Sequence, residues 1–464
     1  LRIVETVLII AHNLQTIETF PVTLVIILCA KEERMTGGDI AKATPADATQ
    51  WVSTLSMRPS LEAAVDDVVQ KAQAALIGAP DVGFVFIAAA FASEYSRLMP
   101  LLRERLPNIP LIGCGGTGVV GTTGKAQLQE IEREPAIALT LATLPGVTVE
   151  SFHLTAEQLP DLDSSPDAWV ELIGVPIDDQ PQFILLADQT FNKINDLLQG
   201  LDFAYPGSVK VGGVASAGTN DGNGGLFCDY RLKREGVVGL ALSGNVVLET
   251  IVAQGCRPIG QPYWVTEGER NILLGLEEQA DSSPVPHGGG SRVSQKRTPL
   301  EVLQDLIQTL DEEDRMLAQN ALFVGIAQNE FKQELEQGDF LIRYLLGVDP
   351  RVGAIAIGDR IRPGQRIQFH LRDAETSAED LEMLLERYQL TNPSGTIGAL
   401  MFACVGRGEQ LYDEPNFDSQ LFSRYFPRIP LSGFFCSGEI GPVGNSTFLH
   451  GYTSVFGIVR QPFQ

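Results

Sequence analysis

GFVFIAAA at residues 83–90 and PLIGCGGTG at residues 110–118 bracket a polar-led segment, Ser93–Leu106, that carries the apolar spacing of a helix. The first run is apolar at every position. A half-exposed strand alternates, whereas a strand buried on both faces does not, so the run reads as a parallel strand inside an α/β layer. The second run leaves its strand through small residues at Cys114–Gly118. Together they spell a strand, helix, strand unit whose second strand emerges into a glycine-rich turn.

The same order returns twice. FILLA at 183–187 is followed by a helical segment, Phe191–Leu201, a strand at Val209–Gly212 and the turn GVASAG at 213–218. Ala399–Cys404, Phe417–Phe426 and Pro430–Gly433 repeat it before the turn CSGEIG at 436–441. Recurrence at similar spacing marks an internal repeat. Paired strands flank the units and read as hairpins: Ala136–Thr143 with Val147–Phe152, and Val237–Leu242 with Val246–Val252. Ala354–Ile357 and Arg366–Leu371, joined by GDRIRPGQ, read as a further hairpin that precedes the third copy, as though that unit were permuted. Pro59–Ile77 is expected to be a docking helix with Pro59 at its first position. The fold class expected is α/β, with repeated strand-helix-strand units, added hairpins and two tandem halves built on mixed sheets.

Composition narrows the function. With 34 Lys+Arg against 58 Asp+Glu in 464 residues, the net charge is −24. Such a surface repels nucleic-acid phosphate and anionic headgroups, so no nucleic acid and no membrane is expected as partner. The apolar run Val22–Ala30 is shorter than the roughly 20 residues a spanning helix takes. Cys29, Cys114, Cys228, Cys256, Cys404 and Cys436 share no CxxC spacing, and the histidines form no HxH or HExxH pair. Free thiols in a cytoplasmic protein, without metal or other cofactor, are therefore expected.

Three chemistries can be tested on the turns. Gly116–Gly121 fits GxGxxG, but Lys125–Glu134 is too short and polar to be the helix a dinucleotide fingerprint opens. Gly124-Lys125-Ala126 lacks the glycine and hydroxyl spacing of a phosphate-binding loop. A cysteine or serine nucleophile is the third idea, with Cys114, Ser216 and Cys436 at comparable points of their turns. Neither His153 nor His450 has a counterpart across the copies to act as its base. Binding suits the turns better, since backbone N–H groups at strand ends approach a ligand closely and α/β sheets bind at the carboxyl ends of their strands.

Beyond the repeat, PLIGCGGTG (110–118), VGGVASAG (211–218), the stretch 236–271 with its GCRPIG, the stretch 340–373 ending FHLRD, GALMFACVGRG (398–408) and PLSGFFCSGEIGP (430–442) resemble the FIST domain family. The resemblance covers nearly all of 51–457. It implies a small-ligand-binding sensory module in bacteria and archaea, with amino acids or their derivatives as ligand class, and a substrate-recruiting region in eukaryotic F-box proteins. The division it suggests is an extension and linker at 1–50, a FIST N-like domain with two internal repeats at 51–260, and a FIST C-like domain at 261–464 with a mobile loop at 282–298.

The expected function is a stand-alone sensory module of intracellular signal transduction that is not an enzyme and acts through a separate signalling output protein. Its ligand is expected at Gly113, Cys114, Gly115, Gly212, Gly213, Ser216, Cys436, Ser437 and Glu439. Glycines would supply backbone donors, Ser216, Ser437 and the cysteines hydroxyl or thiol contacts, and Glu439 a charge partner for a cationic or amino group. The rivals are a protein-recruiting scaffold and a cysteine-dependent acyl-transfer enzyme.

Overall fold

A strand apolar on both faces needs cover on both, and the chain supplies it by repeating one unit three times. The structure, a computed structural model, describes residues 49–123, 127–218, 224–278, 296–329, 331–391 and 395–461. The expected extension lies outside them save for Thr49 and Gln50, as does the expected mobile loop save for residues 296–298.

The first unit runs β1 (Gln50–Ser56), α1 (Leu61–Ala75), β2 (Val82–Ala88), α2 (Tyr95–Arg105) and β3 (Leu111–Gly116). A two-stranded arm follows, β4 (Gly118–Thr122) with β5 (Leu128–Glu132), and the chain returns in β6 (Ile137–Thr143). The second unit copies it: β7 (Val147–Leu154), α3 (Pro166–Ile173), β8 (Gln182–Ala187), α4 (Ile194–Ala204), β9 (Lys210–Val214), the arm β10 (Leu226–Cys228) and β11 (Arg231–Lys233), then β12 (Val237–Gly244). The third opens with β13 (Val247–Ala253) and is interrupted at once by a closed barrel. Barrel strands are β14 (Arg257–Glu269), β15 (Ile272–Glu278), then after α5 (Pro299–Thr309) and α6 (Glu312–Leu317), β16 (Leu322–Ala327), β17 (Phe340–Asp349), β18 (Ala354–Ile357) and β19 (Arg366–Leu371). The unit then resumes with α7 (Ala374–Thr391), β20 (Thr396–Cys404), the short α8 (Glu409–Tyr412), α9 (Phe417–Tyr425), β21 (Leu431–Cys436), the arm β22 (Glu439–Val443) and β23 (Ser446–His450), and β24 (Ser454–Arg460).

Each arm leaves its own unit. The sheet orders are β1-β6-β2-β3-β10-β11, β7-β12-β8-β9-β22-β23 and β13-β24-β20-β21-β4-β5. The exchange is cyclic: the first arm joins the third sheet, the second joins the first, and the third joins the second. The parallel pairs expected from the apolar runs are present as β2 with β3, β8 with β9, and β20 with β21.

The hairpins expected between successive strands are corrected. β6 is paired on one edge with β1 and on the other with β2, so β7 has no edge to join and pairs with β12 of the next sheet. β12 in turn lies between β7 and β8, which sends β13 to β24. β18 lies between β15 and β17, and β19 between β14 and β16, so these two do not pair either and belong to the barrel. The third unit is therefore interrupted, not permuted. Pro59 is not the first helical residue but lies two positions before it, because Ser60 caps α1 by accepting a hydrogen bond from Ala63 N–H, and the helix starts at Leu61.

Period-two burial sorts the strands into a shared centre and three outer layers. Phe84 and Phe86 of β2, Ile184 and Leu186 of β8, and Leu400 and Phe402 of β20 share one core. The alternate residues face outward onto helices: Val85 and Ile87 toward α1 and α2, Leu185 toward α3 and α4, Met401 toward α7 and α9. At the centre Phe86 stacks on Phe434 at 5.3 Å, and Phe402 meets Phe434 edge-on at 5.9 Å. The barrel keeps a core of its own, from Ile259 through Leu371.

Candidate functional site

In each unit the strand that leads to the turn carries a glycine at one register: Gly113 opposite Val85, Gly212 opposite Leu185, Gly433 opposite Met401. A Cβ there would lie 1.9, 1.8 and 1.8 Å from the carbonyl oxygen of that neighbour. These glycines answer to the parallel strand beside them. The shared register also corrects the idea that Cys114, Ser216 and Cys436 are comparable points, since they stand one, four and three residues beyond it.

Of the expected site residues, Gly115, Gly213, Ser216, Cys436 and Ser437 converge where the three sheets meet. Ser216 Oγ accepts from Thr117 N–H at 2.8 Å and donates to the Phe435 carbonyl, while its own N–H reaches the Gly115 carbonyl at 3.3 Å. Ser437 N–H donates to the Val214 carbonyl at 2.9 Å, and its exposed hydroxyl accepts from Gln189. A Cβ on Gly213 would lie 2.4 Å from Cys436 Sγ. Burial pushes the Cys114 thiol well above its ordinary value, and burial followed by the nearby Glu439 does the same at Cys436. The five described cysteines are all buried and free.

Glu439 separates from this group. It begins β22 opposite Gly213, yet its fully buried carboxyl faces the third unit and the barrel, where Thr453 N–H donates to Oε2 at 3.1 Å and the Cys404 thiol lies against it. Arg407 and Arg372 act on the same carboxyl. Arg407 has no exposed surface. It holds Asp418 in a two-pronged pair, Nε to Oδ2 at 2.7 Å and Nη2 to Oδ1 at 2.9 Å, and Nη2 also donates to Tyr412 Oη. Arg372 stacks on Tyr452 at 4.3 Å and donates to the Gly406 carbonyl at 3.2 Å. Asp380 caps the far side by accepting from Gly255 N–H at 2.8 Å. Gly255 is left-handed, with φ +62, and a Cβ there would meet Ser377 Oγ at 2.7 Å and Arg407 Nη1 at 3.2 Å.

Segments far apart in sequence thus supply one buried cluster, Gly255-Cys256, Arg372, Cys404, Arg407 and Glu439, with the half-buried Tyr452 at its edge. Burial drives the Glu439 carboxyl well above its ordinary value, and the two guanidiniums pull it back only in part. Burial, then Glu439, pushes the Cys404 thiol up to about 12. Within this cluster Glu439 Oε1, Arg407 Nη1 and Arg372 Nε make no hydrogen bond among the described residues. Sequence reasoning reached Glu439 through its turn but missed both arginines, although Gly406-Arg407-Gly408 directly after a buried strand leaves little room for a solvated side chain.

His450, beside the cluster, bonds through Nε2 to the Gly441 carbonyl at 3.0 Å, and burial lowers its pKa to about 4. His370 in β19 is lowered likewise to about 4. Both fold as neutral rings. As pH falls below 6.5 the unfolded chain takes up protons that the folded one refuses until about 4, so stability is lost across that window. Unfolding midpoints measured from pH 7 to 4 should fall, and His450→Gln, which keeps a donor for Gly441, should flatten the slope. Equal slopes in variant and parent would show that His450 does not titrate as placed.

No group of metal-ligating side chains and no helix long and apolar enough to cross a membrane occurs among the described residues. In comparison with known proteins, residues 81–279 match the FIST N domain and residues 299–442 the FIST C domain. The first match runs through β15, into the barrel. An uncharacterised protein of Mycobacterium tuberculosis is 32% identical over 403 residues, 86% of this chain and 97% of its own. An F-box/LRR-repeat protein of Arabidopsis thaliana is 24% identical over 469 residues, 88% of this chain and 85% of its own. F-box only protein 22 of Homo sapiens is 32% identical over 118 residues, 21% of this chain and 29% of its own.

Proposed function

The chain belongs to the FIST family, and from that premise we propose that it is a small-molecule-binding sensory module of intracellular signalling, with its ligand held by the cluster around Glu439. FIST domains are consistent with a sensory or signal-transduction role. The observation that carries the reading is the trio of buried atoms without hydrogen bonds, Glu439 Oε1, Arg407 Nη1 and Arg372 Nε. Buried polar groups are costly unless paired, so a ligand that pairs them binds with a large advantage. Two guanidiniums suit a carboxylate and one carboxyl suits an amine, the complement of an amino acid or its derivative.

Glu439 and Arg407 have no exposed surface, so a ligand enters only a conformation in which the barrel has moved from the third unit. Tyr344 of β17 and Tyr452, 5.3 Å apart, line that boundary. Ligand shifts the population toward whichever arrangement it binds better, and a separate output protein reads the shift.

Thermal unfolding of the purified protein against amino acids, amines and organic acids tests this. Ligand at 100 times its dissociation constant adds about 2.7 kcal/mol. Glu439→Gln should abolish the shift for amino acids, and Arg372→Met should weaken it. Without ligand, Glu439→Gln has its own signature. A carboxyl raised above its unfolded value of 4.5 costs the folded state increasingly as pH climbs past that value. The variant should therefore gain stability on the parent from pH 4.5 toward neutrality. Shifts that survive both substitutions would sink the site.

The outward face of β17 favours a second reading, a protein-docking module. Tyr344, Leu346 and Val348 are exposed there at 41, 62 and 46%. Leu346→Lys should leave the ligand-induced shift intact and abolish a stable complex if docking is the function.

A further inference from the structure

The three units provide an internal comparison at one place, the junction between each exchanged arm and the second helix of the sheet that receives it. In the second sheet the junction is closed: Asp202 of α4 accepts from Thr447 N–H and Oγ of β23 at 2.6 and 2.8 Å and pairs with Lys210 at 2.8 Å. In the third sheet a cavity of about 470 Å³ lies between β5 and α9, lined by amides such as Gln129 and Gln420 with Arg424 as its cation. In the first sheet a cavity of about 440 Å³ lies among α2, β7 and the arm β10–β11, and here the lining is Arg103, His153, Arg231 and Lys233. The architecture builds this junction without a cluster of cations in two of three cases. Their concentration in the first sheet needs a reason other than folding.

Charge accounting sharpens the point. In a chain of net charge −24, Arg103, Arg231 and Lys233 form no ion pair among the described residues yet converge on one cavity, whereas Lys71, Arg105, Arg257 and Arg343 are each paired. Asp229, the carboxylate that lines the cavity, is engaged by Ser151 Oγ at 2.6 Å and by Leu111 N–H at 3.3 Å. Asp229 and Tyr230 make the arm's two-residue turn with φ of +47 and +62, a conformation glycine or asparagine adopts more readily, and Tyr230 Oη ties it to the Pro107 carbonyl at 2.6 Å. The turn therefore holds Arg231 and Lys233 on a fixed arm. Phe152 and Cys228 form a buried floor beneath them.

We propose that this cavity is a second, independent binding site that takes a small organic phosphate, with Arg103, Arg231 and Lys233 as its phosphate partners. Two planar guanidiniums match phosphate oxygens in pairs, the ammonium adds a point charge, and the volume suits a metabolite. Asn108 supplies an amide for the remainder of the molecule. Such a site lets the protein respond to a phosphorylated compound separately from the cluster at Glu439.

Calorimetric titration of the full chain with inorganic pyrophosphate tests the proposal, with citrate as a polycarboxylate control and anionic phospholipid vesicles as a surface control. Saturable pyrophosphate binding that weakens with added salt is expected. Arg231→Gln and Lys233→Gln, both on a short surface arm, should each weaken it about tenfold. Arg424→Gln in the amide-lined cavity should leave it unchanged. Absence of pyrophosphate binding, equal binding of citrate, preference for vesicles, or full affinity in the Arg231→Gln/Lys233→Gln double variant with an unaltered unfolding midpoint would each overturn it.

Discussion

Arg407→Met should cost the protein about 3–5 kcal/mol, because it removes the counter-ion of Asp418, whose side chain is 1% exposed. The loss is not that of one ion pair in water. Arg407 also donates to Tyr412, and burial opposes its charge while Asp418, Tyr412 and Asp380 hold it above its ordinary value. Arg407→Lys should recover little, since an ammonium cannot reproduce the Nε and Nη2 bonds to the two oxygens of Asp418. The informative variant is Arg407→Met with Asp418→Leu, which removes both charges. A buried pair replaced by apolar groups is often near neutral, so the double variant should stand well above either single one in urea unfolding. Simple additivity would show that the two residues are not coupled as the geometry requires. The same variant separates folding from ligand recognition: if it is stable but no longer shifts with amino acids, Arg407 serves the ligand as well as the fold.

Much of the architecture was written in the apolar runs. GFVFIAAA, FILLA and ALMFAC announce strands buried on both faces, and β2, β8 and β20 are the central strands of their sheets. Pairing partners were not legible in the same way. Strands joined by a short turn normally form a hairpin, and nothing local in Thr143 to Val147 says that both edges of β6 are taken. The arms hide for a like reason: β10 and β11 are three residues each, too short for a period to show. The site divides similarly. Glu439 announced itself as a carboxylate in a turn of small residues, whereas Arg372 and Arg407 reach it from different elements, and only the fold brings Gly255, Arg372, Cys404 and Tyr452 to one place. The cations of the second cavity were invisible as a group, because Arg103 and Arg231 lie in different units.

Gly433→Ala should be among the most damaging single-methyl additions the protein can receive, and the repeat explains why. Gly433 is extended β21 backbone, so the substitution meets no φ penalty; its Cβ would instead lie 1.8 Å from the Met401 carbonyl oxygen and 2.7 Å from the carbon. No rotamer relieves a clash of Cβ with backbone, so β20 and β21 must separate and surrender parallel pairing from Ala399 to Cys404. Overpacking by a methyl ordinarily costs about 1–3 kcal/mol, and a backbone contact this short belongs above that range, at about 4 kcal/mol or more. Gly347→Ala is the control, another strand glycine with nothing within 4 Å of its added Cβ, and it should change stability by no more than about 0.5 kcal/mol. Gly113→Ala, at 1.9 Å from the Val85 carbonyl oxygen, should reproduce the damage in the first unit. If unfolding curves of these variants matched that of Gly347→Ala, the close crossing of adjacent parallel strands would not be the rule that fixes glycine at this register in all three units.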